Sequence, residues 1–130
     1  APFWDDLVPP DTGGGVFYET RGEAGHRKLI VTWADCSHWV FANHTAGITF
    51  QAVLSESDNS IRFNYQDVNF SDSRYNFGES ATVGLQDETG TLGYVYSYNR
   101  ASLADQTSLL FMPIGDGGKT PAGTAWVVYE

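Results

Sequence analysis

The stretch Ile48–Gln66, ITFQAVLSESDNSIRFNYQ, decides the fold class of this chain. Its apolar side chains alternate with polar ones on both sides of a polar turn formed by Ser57, Asp58 and Asn59. A period of two puts alternate side chains on opposite faces of a β-strand, so the stretch predicts a hairpin with one buried face. That face carries Phe50, Ala52 and Leu54 before the turn, and Ile61, Phe63 and Tyr65 after it.

Short segments of the same kind continue through the chain, separated by clusters of Gly, Asn, Asp and Ser. No segment shows the apolar period of an amphipathic helix. At a length of 130 residues, this pattern predicts a single all-β domain over residues 1–130, an antiparallel β-sandwich or jelly roll. The predicted strands are Val16–Thr20, Lys28–Ala34, Ile48–Ser55, Ile61–Gln66, Ala81–Gln86, Leu92–Tyr98, Ser108–Met112 and Ala125–Tyr129.

The chain is acidic, with 7 Lys and Arg against 16 Asp and Glu and a formal net charge of -9. This balance repels polyanions and argues against nucleic acid as a partner. No apolar stretch approaches the roughly 20 residues that cross a bilayer, so membrane insertion is not expected. The start, APFWDDL, lacks the basic and apolar regions of a signal peptide, and the end, AWVVYE, is abrupt. We therefore expect a domain excised from a larger secreted or surface protein.

Loop lengths predict which connections share an end of the sandwich, because alternate connections of an antiparallel series lie at opposite ends. One end receives the short turns 21–25, 56–59 and 87–90. The other receives the longer loops 35–47, 67–80 and 99–107, together with the amino-terminal segment 1–15. Long loops on a rigid scaffold commonly carry binding residues. The candidate ligand-binding residues at that end are Trp39, His44, Arg74, Tyr75 and Arg100.

Catalytic motifs are missing from the sequence. No G-x-S-x-G elbow occurs, and Cys36 and His38, two residues apart in an extended segment, project side by side instead of enclosing a substrate. Cys36 is the only cysteine, which excludes an internal disulfide and a multi-cysteine zinc site. We expect a non-catalytic protein.

Metal sites are the next alternative. His26, His38 and His44 lack H-x-H or H-x-x-x-H spacing, which leaves only a weak surface zinc site on His38 and His44. Calcium suits oxygen-rich loops better, although the EF-hand pattern is absent and the turn-forming habit of Asp explains the same residues. We expect no cofactor and keep structural calcium as an alternative. Its candidate ligands are Asp5 and Asp6, Asp67, Asp72, Asp87 and Glu88, and Asp116.

Aromatic side chains supply the candidate contacts to a ligand, since exposed rings stack on the apolar faces of sugars. Trp39 and Tyr75 fall in long loops at the same predicted end and are the candidates for an exposed platform. The alternating Tyr94, Tyr96 and Tyr98 predict three phenols on one strand face, which either binds a sugar or packs against the core.

Two further tryptophans are expected to have structural roles. Trp33 alternates with Leu29 and Val31 along a predicted strand, which indicates a core position. Trp4 is expected to anchor the amino-terminal segment onto the sandwich as a hydrophobic plug.

The runs RKLIVTWADCSHW, TFQAVL and IRFNYQDV resemble the core of the NIDO domain, the extracellular module first described in nidogen. The whole chain is still more similar to a bacterial secreted relative of that module, through FWDDL, GGGVFYET, SATVGLQDETGT, YSYN and SLLF. The resemblance extends from Phe3 to about Pro113. It implies a secreted or cell-surface accessory or adhesion module, and it brings neither catalytic residues nor a named ligand.

The function we expect is therefore non-catalytic extracellular recognition or adhesion, with a protein or a glycan bound through the long loops. Partners would be that ligand and other domains of the same polypeptide. Two alternatives stay open at this point. One is a carbohydrate-binding module attached to a secreted hydrolase, and the other is a structural spacer whose loops bind nothing.

Overall fold

The computed structural model describes residues 1–41, 46–87 and 89–113, together with the strand at 126–129. These ranges contain nine β-strands and one short 3-10 helix, Asn76–Gly78. The strands are β1 Leu7–Val8, β2 Gly15–Arg21, β3 Lys28–His38, β4 Gly47–Ser55, β5 Ile61–Asp67, β6 Thr82–Gln86, β7 Gly93–Tyr98, β8 Thr107–Pro113 and β9 Trp126–Tyr129.

Two antiparallel sheets form the all-β sandwich that the sequence predicts. The larger sheet has the order β1-β3-β4-β5-β8-β9, and β2 joins the edge of β3 that β1 also occupies. The smaller sheet pairs β6 with β7. Amino-terminal residues extend it on the β6 side, where Trp4 and Thr82 exchange backbone hydrogen bonds of 2.9 and 3.0 Å.

The hairpin predicted over Ile48–Gln66 is the centre of the larger sheet. Its strands pair from Thr49 opposite Asp67 to Leu54 opposite Ile61. The turn closes with a hydrogen bond of 3.0 Å from the backbone N–H of Ser60 to Asp58 Oδ1. Asn59 takes a positive φ of 53°, which Asn tolerates better than most residues.

The core lies between the two sheets and is rich in aromatic rings. Phe3 stacks on Phe50 of β4, with ring centroids 5.6 Å apart, and Tyr94 of β7 meets Phe111 of β8 at 6.1 Å. The smaller sheet with its amino-terminal extension therefore covers β4, β5 and β8. The hydroxyl of Tyr65 donates to the carbonyl of Pro2 at 2.8 Å, and burial raises the pKa of that phenol.

β3 is longer than the sequence predicts, because a bulge near Asp35 lets it continue to His38. Pairing with β4 shifts register between Trp33 and Cys36, and Asp35 has a positive φ of 54°. Thr49 Oγ1 accepts the Asp35 backbone N–H at 3.0 Å. The expected loop beginning at Asp35 thus begins only after His38, and β1, which was not predicted, pairs with this extension.

The amino-terminal anchor is Phe3, and the expectation for Trp4 is wrong. The Phe3 side chain is buried, whereas Trp4 is 71% exposed. Adjacent residues of the extended segment point to opposite faces, so Phe3 enters the core and Trp4 points away.

The three tyrosines of β7 do not share one face. Val83 lies opposite Ser97 and Gly84 opposite Val95, so Tyr96 is an extra residue of β7. Tyr94 contacts the core and Tyr96 is partly buried against it, whereas Tyr98 is 69% exposed. A bulge of this kind breaks the alternation on which the prediction rested.

The short turns and the long connections lie at opposite ends of the sandwich, largely as the loop lengths predict. At the short-turn end, Glu56 accepts hydrogen bonds from the backbone N–H of Gly25 at 2.9 Å and from Arg27 Nε at 2.9 Å. The longer connections and the amino-terminal segment meet at the opposite end, described below. In the part of the chain that the structure describes, no helix is long and apolar enough to span a membrane.

Candidate functional site

Four rings from two of the long segments pack together at the long-loop end. We call His38, Phe41, Phe70 and Tyr75 the loop-end cluster. The His38 and Tyr75 centroids lie 4.2 Å apart, and Phe41 meets Tyr75 edge-on at 5.7 Å. Phe70 contacts His38 at 5.9 Å and also joins Phe3 at 6.2 Å, which connects the cluster to the core.

His38 is held by hydrogen bonds on both ring nitrogens. The backbone N–H of Val40 donates to Nδ1 at 3.3 Å, so Nδ1 must be unprotonated. The neutral ring then carries its proton on Nε2, which lies 3.3 Å from Asp5 Oδ1. The side chains of His38 and Asp5 are only 4% and 8% exposed. The contact is therefore a buried N–H···O hydrogen bond that fixes the ring orientation.

Asp5 serves as the acceptor at the centre of this network. Its Oδ1 also accepts the backbone N–H of Asp6 at 2.9 Å, and its Oδ2 accepts the hydroxyl of Ser80 at 2.5 Å. A histidine, a carboxylate and a hydroxyl thus meet, which the sequence spacing did not suggest. Ser80 donates to the carboxylate and not to the imidazole, so the order of a Ser-His-Asp triad is not reproduced.

Asp5, His38 and the neighbouring Asp6 form a candidate metal group, since one ligand atom from each lies within 4.8 Å of the others. A cation needs a lone pair on the imidazole nitrogen that faces it. Here Nε2 faces Asp5 and carries the proton, because Nδ1 accepts from Val40. The donor set consequently fits a hydrogen-bonded framework better than a zinc site.

The other described carboxylates considered for calcium have partners within the protein. Asp67 Oδ1 accepts the backbone N–H of Asn69 at 2.8 Å. Asp87 accepts from the Thr89 hydroxyl at 2.7 Å and from the Thr91 backbone N–H at 3.0 Å. These are turn-stabilising contacts of the kind that Asp commonly makes. Glu88 and Asp116 lie outside the described residues.

Arg74 is fixed by Asp72 beside the loop-end cluster. Its Nε and Nη2 donate to the two oxygens of Asp72 at 3.1 and 2.7 Å, and these hydrogen bonds lower the pKa of Asp72 to about 2. The guanidinium also lies over the Tyr75 ring, 5.3 Å from its centroid. Tyr75 is thus half-buried between neighbouring groups and presents little open ring surface.

Trp39 is the open aromatic ring of the connection after β3, with 62% of its surface exposed. It follows directly after β3, and its backbone N–H donates to the carbonyl of Asp6 at 2.9 Å. The next residue, Val40, is 39% exposed and adds apolar surface. The predicted pair of open rings is therefore reduced to one indole, with Tyr75 in a supporting position.

One predicted site residue, Arg100, is not brought into this group. Arg100 lies after β7, where its carbonyl accepts the hydroxyl of Ser97 at 3.2 Å. Its exposed side chain makes no hydrogen bond or ion pair with any other described residue. His44 lies outside the described residues.

The connections that place these loops are long-range. Asp105 Oδ1 accepts the Val68 backbone N–H at 2.8 Å, and the carbonyl of Phe77 accepts the Ser102 N–H at 3.0 Å. Sequence reasoning considered Asp5 only as a calcium ligand and missed Ser80. The only sequence signal was the pair of acids after Trp4, which reads equally well as a turn.

The fold and this end of the molecule define an antiparallel β-sandwich with long loops arranged on a buried polar and aromatic framework. The chain belongs to the family described as NIDO related, which matches residues 1–114. Domains of this family are typically extracellular. No curated protein and no solved structure matches the chain.

Proposed function

We propose that this domain is a non-catalytic recognition module of a secreted or cell-surface protein, which binds an extracellular protein or glycan through its long-loop end. The observation that carries the proposal is the position of Trp39. Its indole is 62% exposed although the residues on either side are fixed to a buried framework. Large apolar rings exposed on rigid loops are typical of binding surfaces.

A protein ligand is favoured over a polysaccharide. Stacking along a sugar chain commonly uses several open rings, and Tyr75 is occupied by His38 and Arg74. The open indole of Trp39, next to the exposed Val40, instead resembles the Trp centres that dominate protein interfaces. The non-catalytic part of the proposal is supported by the order of the Ser80–Asp5–His38 contacts, in which no hydroxyl is paired with the imidazole.

The test is binding of the purified chain to arrays of extracellular-matrix proteins and glycans, compared with Trp39→Ala. We expect the variant to lose at least about 2 kcal/mol of binding free energy, roughly a thirtyfold weaker Kd, as for an interface hot spot. Leu92→Ala is the matched control, because Leu92 is 51% exposed beside the short turn that joins β6 and β7. Its binding should stay unchanged.

Array binding that is unchanged in Trp39→Ala would show that the long-loop end is not the binding site. If neither array shows selective binding, the spacer alternative would replace recognition. Circular dichroism spectra that match the parent protein would show that both variants remain folded.

A further inference from the structure

The outer edge of β2 is an unprotected strand edge. All seven residues of β2 pair with β3, from Gly15 opposite Ala34 to Arg21 opposite Lys28, without a register shift. No other strand in the described ranges lies on its second side. Its outward N–H and C=O groups therefore present a template for a further strand.

The side chains of β2 do not shield this edge. Val16, Phe17 and Tyr18 are 49%, 55% and 81% exposed. The strand contains no proline or bulge, and its two charged side chains, Glu19 and Arg21, form an ion pair with each other. Leu29 on the adjacent β3 is 38% exposed and lies on the same face of the sheet as Tyr18. Expected core packing at Leu29 is thus incomplete.

We propose that β2 pairs antiparallel with β2 of a second copy, which joins the two larger sheets into one. A two-fold axis must pass through a residue pair, since directly opposed residues point to the same face of a sheet. Centring the axis on Tyr18 pairs all seven residues of each strand. Centring it on Phe17 or Glu19 leaves two residues of each strand unpaired.

The charges on β2 favour the same register. An axis at Glu19 would oppose two carboxylates directly, which destabilises a strand pair. An axis at Tyr18 places Glu19 opposite Phe17 of the other copy and Arg21 opposite Gly15. Glu19 also carries its own counter-ion, because Arg21 Nη2 lies 2.8 Å from its Oε1.

The predicted dimer is weak and sensitive to salt. One pair of seven-residue strands spans about 24 Å, and its buried area falls below the roughly 1,200 Å² of stable interfaces. Each copy carries a formal charge of -9, so screening at higher ionic strength should strengthen the association. Antiparallel pairing would point the two long-loop ends in opposite directions. The dimer does not depend on the proposed ligand.

Sedimentation velocity of the full chain from about 10 to 500 μM is the first test, with dimerisation expected in the micromolar to millimolar range. Tyr18→Lys should weaken dimerisation about tenfold or more, because it places like charges side by side at the axis. Tyr98→Lys is the matched control, since Tyr98 is a 69% exposed tyrosine on the other sheet. It should leave the dimer unchanged.

Cysteine crosslinking tests the register. Directly opposed residues have Cβ atoms about 4.5–5.5 Å apart, so Tyr18→Cys should form an intermolecular disulfide in a glutathione redox buffer. Phe17→Cys lies opposite Glu19 and should crosslink far less, and the native Cys36 is fully buried. A monomer at all concentrations without Tyr18→Cys crosslinking would overturn the proposal and assign the edge to a strand from another protein. Preferential crosslinking of Phe17→Cys, or equal weakening by Tyr98→Lys, would also overturn it.

Discussion

Replacing Asp5 by alanine should destabilise the protein by about 3–4 kcal/mol, because it leaves one buried and one half-buried donor without an acceptor. Those donors are His38 Nε2–H and the Ser80 hydroxyl, at 3.3 and 2.5 Å from the carboxylate. Each orphaned donor costs about 1–3 kcal/mol. A domain of this size has a total stability of about 5–15 kcal/mol, so the loss is a large fraction of it.

Asp5→Asn separates the hydrogen-bonding role of the side chain from its charge. The amide oxygen still accepts from His38 and from the backbone N–H of Asp6, while the amide nitrogen donates to the Ser80 oxygen. The expected cost is therefore only about 1 kcal/mol, the net contribution of an altered hydrogen bond. Asp11→Ala is the control, because Asp11 is exposed and should change stability by less than about 0.5 kcal/mol.

Urea unfolding followed by tryptophan fluorescence at pH 7 measures all three variants. With a denaturant slope of about 1–3 kcal/mol per molar, the midpoint for Asp5→Ala should fall by at least about 1 M. An Asp5→Ala protein as stable as the parent would refute the idea that this network holds the loop end together. Equal losses for the alanine and asparagine variants would show that charge, and not acceptor geometry, is what matters.

Two further predictions concern the short-turn end and the β3 bulge. Hydrogen bonds from Arg27 lower the pKa of Glu56 to about 2. The contribution of the Glu56 carboxylate to stability is therefore complete above its ordinary pKa near 4.5 and is lost as the pH falls towards 2. Glu56→Gln should make the urea midpoint fall less steeply over that pH range. Gly47→Ala should lower the free energy of unfolding by about 1–3 kcal/mol, because the added Cβ would clash with the Asp35 backbone and carboxylate at the bulge. An unchanged thermal midpoint would contradict this packing.

The parts of the fold that depend on local pattern could be predicted from the sequence. The hairpin around Asp58 follows from alternation and turn chemistry, both of which are encoded within a few residues. The exposure of Trp39 followed from its predicted place in a long loop. The tyrosine face of β7 could not be predicted, because the extra residue Tyr96 depends on how β6 pairs with it.

The framework beneath the site was beyond sequence reasoning for a different reason. Asp5 and His38 are separated by 33 residues, and Asp5 and Ser80 by 75. No spacing rule links such positions, and both carboxylate and hydroxyl are common in turns. The Asp5–His38 contact lies next to the pairing of β1 with the end of β3, and β1 has only two residues, too few to leave a periodic signal. The Asp5–Ser80 contact lies next to the backbone pairing of Trp4 with Thr82.

That framework explains how Trp39 can be open to solvent and still well positioned. Three successive backbone N–H groups, from Trp39 to Phe41, donate to the Asp6 carbonyl, His38 Nδ1 and the His38 carbonyl. The backbone around the indole is thus fixed before any ligand arrives. Since ordering a loop on binding costs affinity, a pre-fixed backbone leaves mainly the side-chain rotamer to be restrained. In the proposed function, His38 and Asp5 would therefore act by positioning the backbone of Trp39.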